Sequence, residues 1–287
     1  MQIESRQDAA VRLNAETRAE ERLEHVPTPR GHLYCWTSRP ETSGTCVLIC
    51  SSLFGDFTAN YHRERLLGRA LAMRGYGVMR FHYAGEGNSS GDRRDVTFLS
   101  LCEDASAVLS HGTALGFKKF AFLGTRVGAL VAASTAASLP SVPLALWEPV
   151  TEPLRFITDA QRAKKISQTA KGLGDGAADW REELSQKGVL DLLGYDIYSP
   201  LIDSLEGVNL LKILGPPPRN LFLARFGGKP GSAPPLADNL ARIGFVVESG
   251  TYGPSESWWF HSEVAPETGG LIAATTDWFM KVLAEEP

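Results

Sequence analysis

The chain has 287 residues, 43% of them hydrophobic, which is enough for one large domain or a core domain with an insert. A formal net charge of −4 with no basic stripe excludes nucleic acid and an anionic lipid surface as expected partners. No stretch approaches the roughly 18 apolar residues of a membrane span, and residues 1–24 hold no apolar signal-peptide core, so the expected location is cytoplasmic. Residues 1–30 read as an N-terminal arm, a surface helix or frayed segment alternating charge with alanine. "GHLYCWTS" (31–38) is the first strand-like run. "TCVLICS" (45–51) is a continuous apolar run of the kind buried on both faces of a parallel sheet.

The spacing then predicts a helix over 64–75, a strand over 76–83, a helix over 98–116, a strand over 118–124 and a helix over 129–139. Strands follow at 143–149, 220–226 and 243–249, and the chain closes on a helix over 269–285. This alternation implies βαβ units and a mostly parallel sheet with helices on both faces. Residues 151–218 break it, with helix-like charged segments and no buried strand. They read as a helical cap inserted between core segments 31–150 and 219–287.

Four cysteines, Cys35, Cys46, Cys50 and Cys102, form no C-x-x-C pair and are expected as buried thiols. The six histidines (His25, His32, His62, His82, His111 and His261) lack metal-ligand spacing. No metal and no cofactor are expected.

"LGTRVGAL" (123–130) is a strand end, a glycine-flanked turn and a small-residue helix start. "RFHYAGEGNSSGD" (80–92) and "GPSESWWFHSEVAPETGGLIAATTDWF" (253–279) accompany it. Together these resemble the α/β-hydrolase superfamily over residues 30–287, in its form with a helical cap. The turn resembles that family's nucleophile elbow, G-x-S-x-G, with Arg126 at the serine position. A narrower likeness is to the exosortase-associated hydrolase-like group, carried by "FGDFTANYHRER" (54–65), "GTRVGA" (124–129) and "LWEPV" (146–150). "FGDF" departs there from the group's acidic pair.

An arginine cannot be acylated. Its five donors and permanent charge leave two readings for Arg126: a buried ion pair, with Glu148 at the next strand end as partner, or a clamp for a substrate carboxylate, phosphate or enolate. The resemblance implies a backbone oxyanion hole from Val127 N–H and from Ser52 or Leu53. It also implies His261 as the acid–base histidine, with Glu263 near enough to orient it or with Trp258 and Trp259 merely packing it. Asp238 falls too late for the usual acid and belongs on the following helix, and the resemblance offers Glu148, at the end of the preceding strand, as the alternative acid. Ser51, Ser52 and Cys50 are weighed as a relocated nucleophile and disfavoured, because that loop carries oxyanion donors. Asp56 and Glu86 read as solvated loop acids.

The expected protein is an α/β-hydrolase-like enzyme without serine chemistry. It would act by proton transfer (lyase, isomerase, cyclase or water-mediated hydrolysis) on a small carbonyl or acyl substrate, anionic if Arg126 is the clamp, plausibly in a biosynthetic pathway. The alternative is a pseudo-hydrolase that binds a ligand or partner without turnover. A homo-oligomer stays open.

Overall fold

The computed structural model describes residues 10–41, 43–139, 141–170, 179–192, 194–217, 219–226, 234–252 and 269–284. At its centre is a nine-stranded sheet. β1 (Ala10–Asn14), β2 (Ala19–Thr28) and β3 (Gly31–Pro40) form an antiparallel wing. It joins a parallel set in the order β5 (Gly77–Phe81), β4 (Thr45–Cys50), β6 (Lys119–Thr125), β7 (Leu144–Trp147), β10 (Asn220–Phe226) and β11 (Val246–Tyr252). The continuous apolar runs of the middle strands are explained by burial on both faces: β5 and β7 are buried at every position.

Alternation along the strands sends side chains to two cores. Val47, Ile49, Ala121 and Leu123 meet Leu67 and Leu71 of α1 (Phe54–Met73) and Trp278 and Phe279 of α9 (Gly269–Ala284). Leu48, Cys50, Met79 and Phe122 face α2 (Phe98–Ala114) and α3 (Gly128–Ala137). α8 (Pro235–Arg242) links β10 to β11.

Three expectations are corrected. Residues 10–14 and 19–28 are strands joined by a turn, not a surface helix or frayed arm. The charges that suggested a helix face are cross-strand partners: Arg12 and Glu21 stand opposite each other, with Arg12 Nε donating to Glu21 at 2.7 Å. α1 begins at Phe54, ten residues ahead of the predicted start, because its first half buries polar side chains that hydrophobic periodicity does not register. The segment between β7 and β10 holds α4 (Pro153–Ala170), α5 (Trp180–Lys187), α6 (Ser199–Ser204) and α7 (Leu210–Ile213). It also carries an antiparallel hairpin, β8 (Val189–Leu192) and β9 (Tyr195–Tyr198), whose Leu190, Leu192 and Ile197 are buried. No helix among the described residues is long and apolar enough to cross a membrane.

Candidate functional site

The turn from β6 into α3 has the geometry that its glycines allow. A Cβ on Gly124 would stand 2.5 Å from the Ala129 Cα, and one on Gly128 would stand 2.2 Å from the Cys50 carbonyl oxygen. Between them Arg126 takes φ +54, a left-handed conformation that side-chain-bearing residues rarely adopt. It is held there by its backbone. Arg126 N–H donates to the Trp147 carbonyl at 2.9 Å, and its own carbonyl accepts from Val150 N–H at 3.2 Å.

The guanidinium lies beneath the insertion, 6% exposed. Its Nε donates to Asp56 Oδ2 at 3.0 Å, Nη1 donates to the Glu148 main-chain carbonyl at 3.4 Å, and the Phe156 ring of α4 covers it at 5.0 Å. The carboxylate partner is therefore Asp56, not Glu148. Glu148 does lie at the same rim, but its φ of +43 turns its side chain away. Its carboxylate accepts from Phe226 N–H at 2.5 Å. Burial pushes the Glu148 carboxyl above its ordinary range, against the lowering effect of that N–H and of Arg126.

Asp56 is not a solvated loop acid. It occupies the first turn of α1 and is 9% exposed. Burial raises its carboxyl, and the Arg126 guanidinium pulls it back down. Glu86 is likewise partly buried and paired, with Arg93 at 3.0 Å.

Asp56 opens a row of polar side chains along the inner face of α1. Asn60, Arg63 and Glu64 follow, all buried, before Leu67 and Leu71 continue the same face. Asn60 donates to the Asp56 carbonyl at 2.8 Å, and Arg63 donates to Asn60 at 3.3 Å and lies 5.2 Å from the Phe226 ring. Burial lowers the Arg63 guanidinium to about 10. Ser51, at the end of β4, donates to Glu64 Oε2 at 2.6 Å. Sequence reasoning missed this face. The available signal was the spacing 56, 60, 63, 64, 67 and 71, which is one helical stripe with polar residues in its first half.

Leu53 and Val127 line one apolar crevice, together with Phe156, Ile157, Ile197 and Leu201 of the insertion. Its volume is about 10 Å³, room for about one water. Ser52 is buried beside them. Its hydroxyl has no hydrogen-bond partner among the described residues. Ser51, Ser52 and Cys50 are each no more than 2% exposed, which closes them to a substrate in this structure. Asp238 is exposed on α8, away from a core role. His261, Glu263, Trp258 and Trp259 lie outside the described residues. Among the described residues no group of His, Cys, Asp and Glu is arranged to hold a metal ion.

The sheet order, the strained strand–helix turn and the insertion after β7 define an α/β-hydrolase fold. The chain is similar to Est1E from Butyrivibrio proteoclasticus, solved with ferulic acid bound, at TM-score 0.65 and 15% identity over 91% of this chain and 99% of that one. It is similar to XC6422 from Xanthomonas campestris, described as an α/β serine hydrolase without a lid, at TM-score 0.54 and 15% identity over 93% and 97%. An α/β serine hydrolase homologue from Coxiella burnetii aligns at TM-score 0.51 and 14% identity over 90% and 95%. No protein-family model matches the chain, and no curated protein does.

Proposed function

We propose that this chain is a hydrolase-fold protein that works without an acyl-enzyme intermediate, by proton transfer on a small carbonyl or acyl compound. The observation that carries this reading is the Asp56–Arg126 pair at the elbow. The position where the fold presents a nucleophile holds a guanidinium committed to a carboxylate, a carbonyl and an aromatic ring. In this reading Arg126 is chiefly the keystone of the turn and lends its field to an anionic substrate. Val127 N–H, at the start of α3, and the Ser52–Leu53 loop polarise the substrate oxygen. His261 supplies acid–base chemistry, and Glu148 contributes negative charge at the same rim. The residues between β7 and β10 serve as the cap, and the four free thiols suit a reducing compartment.

The second reading, a binding subunit without turnover, is favoured by the size of the crevice, which at about 10 Å³ holds no substrate unless the insertion shifts. Two experiments separate the possibilities. Fluorophosphonate labelling followed by intact mass should give no adduct, and nitrophenyl acyl esters should not turn over. A stoichiometric adduct on any serine overturns the non-covalent reading. His261→Ala should lower complementation of the native pathway by about 10²–10⁴-fold in turnover at unchanged protein level. Full complementation by that variant points to the binding subunit.

A further inference from the structure

Glu64 is fully buried about three turns into α1, and neither reading of the site uses it. Among the described residues its contacts are hydroxyls, with no cation touching it. Ser51 Oγ donates to its Oε2 at 2.6 Å. The second hydroxyl within its reach is that of Thr125, the residue before Arg126. Thr125 stands beside Ser51 because β4 and β6 pair in parallel with Cys50 opposite Gly124, so the next residues on each strand point to the α1 side together. Among the described residues no Lys, Arg or His nitrogen forms an ion pair with Glu64, and two atoms of this cluster, Glu64 Oε1 and Thr125 Oγ1, have no hydrogen-bond partner.

A buried carboxylate without a counter-ion in contact is costly, and such a group neutralises by keeping its proton. We infer that Glu64 stands in the folded protein as an uncharged carboxylic acid that clamps the β4–α1 loop to the β6–α3 turn, accepting from Ser51 and donating to Thr125. Both segments it joins belong to the site: Ser52 and Leu53 follow Ser51, and Arg126 and Val127 follow Thr125. Glu64 is thus a positioning residue, and its role does not depend on which chemistry the site performs.

The groups that face it support the assignment. Burial is the largest influence on the Glu64 carboxyl and raises it. The Ser51 and Thr125 hydroxyls lower it by hydrogen bonding, and Arg80 of β5 lowers it from a distance. The Cys50 thiol and the Tyr83 phenol, also buried, are both held protonated, and the charge of Glu64 would push each further up. Ionisation of Glu64 would leave a carboxylate that can take two hydroxyl donors but no longer gives one. That charge would be buried with no counter-ion in contact, so the folded state loses stability as pH rises.

The test compares the wild-type protein with Glu64→Gln and Glu64→Ala. In infrared difference spectra at neutral pH, wild type minus Glu64→Gln should show the carbonyl band of a protonated carboxyl. A difference made of carboxylate bands overturns the proposal. Hydrogen exchange at the amides of Leu53 and Val127 gives the positioning readout. A glutamine offers the same acceptor and donor as the neutral acid, so Glu64→Gln should exchange as wild type at neutral pH. Glu64→Ala should open these amides about tenfold more, the factor that an unsatisfied buried polar group produces. If that variant does not fold, Ser51→Ala and Thr125→Val carry the same measurement, each with loss of protection at both amides. Equal loosening by glutamine and alanine, or no loosening by any of these variants, overturns the clamp.

Discussion

Asp56 and Glu64 lie eight residues apart on one face of one helix, and both are buried, at 9% and 0% exposure. Their surroundings differ in one respect. Asp56 meets a guanidinium at 3.0 Å, while Glu64 meets the hydroxyls of Ser51 and Thr125. Desolvation raises both carboxyls, but only Asp56 has a charge in contact to offset it. Burial alone therefore does not fix the state of an acid. The partner does, and here the two partners sit on either side of a single peptide link, Thr125 and Arg126. The helix grips the elbow twice, once by an ion pair and once by neutral hydrogen bonds.

The comparison breaks most visibly at the ion pair. Asp56→Ala leaves a guanidinium buried beneath Phe156, and Arg126→Leu leaves the carboxylate. Each single change should cost about 3–5 kcal/mol in urea unfolding, because one charge loses its compensation. The double variant should cost clearly less than the sum. Additive losses would show that the two side chains do not meet in solution.

Amide replacements sharpen the contrast at smaller scale. Asp56→Asn removes a charge-assisted bond and should cost about 1.5–3 kcal/mol at neutral pH. Glu64→Gln preserves the hydrogen bonding of a neutral acid and should stay within about 0.5 kcal/mol of wild type below pH 4.5, where wild-type Glu64 is protonated in both the folded and unfolded states, and become the more stable of the two above it. The pH dependence carries the sign. An unfolded Glu64 titrates at its ordinary 4.5, and the folded one titrates higher. Between the two values the native state binds the extra proton, so stability falls as pH rises through the folded value. This is opposite to the usual salt-bridged carboxylate. The Glu64→Gln protein should therefore lose less stability than wild type as pH rises from 4.5 to the folded value. Parallel stability curves for the two proteins would contradict the neutral-acid assignment.

These two acids also mark where the sequence stopped being legible. The strands and the elbow could be read because their signals are local. Apolar runs report burial on both faces, and Gly124 and Gly128 report backbone approach that a Cβ would forbid. The first half of α1 could not be read that way. Its inward residues are Asp56, Asn60, Arg63 and Glu64, so a search for apolar period starts the helix ten residues late and leaves Asp56 in a loop. Position in the chain points to Glu148 as the partner of Arg126, and it is nearly right. The chain does bring its carbonyl to the guanidinium, but the left-handed backbone at Glu148 sends the carboxylate to Phe226 N–H. A backbone dihedral of that kind has no signature in residue type. The N-terminal strands were hidden because charges paired across two strands, such as Arg12 with Glu21, resemble charges spread along a helix.

The smallest expected effect tests whether the insertion takes part in this grip. Phe156 of α4 covers the Arg126 guanidinium, its ring centroid 5.0 Å from the guanidinium carbon. A cation over a ring is worth about 0.5–1 kcal/mol at an exposed site and about 2 when desolvated, and this one is buried. Phe156→Leu keeps apolar volume over the crevice while removing the ring face, so the expected loss is about 1 kcal/mol. The same change in an Arg126→Leu background should cost less, since no cation remains to be covered, and the difference between the two costs is the coupling between insertion and elbow. The Glu64 clamp involves Ser51 and Thr125, not Arg126, and provides the control: Phe156→Leu should cost the same with Glu64 or with glutamine at position 64. An equal cost of Phe156→Leu with and without Arg126 would mean that the ring merely fills space, and the insertion would then cover the elbow without holding it.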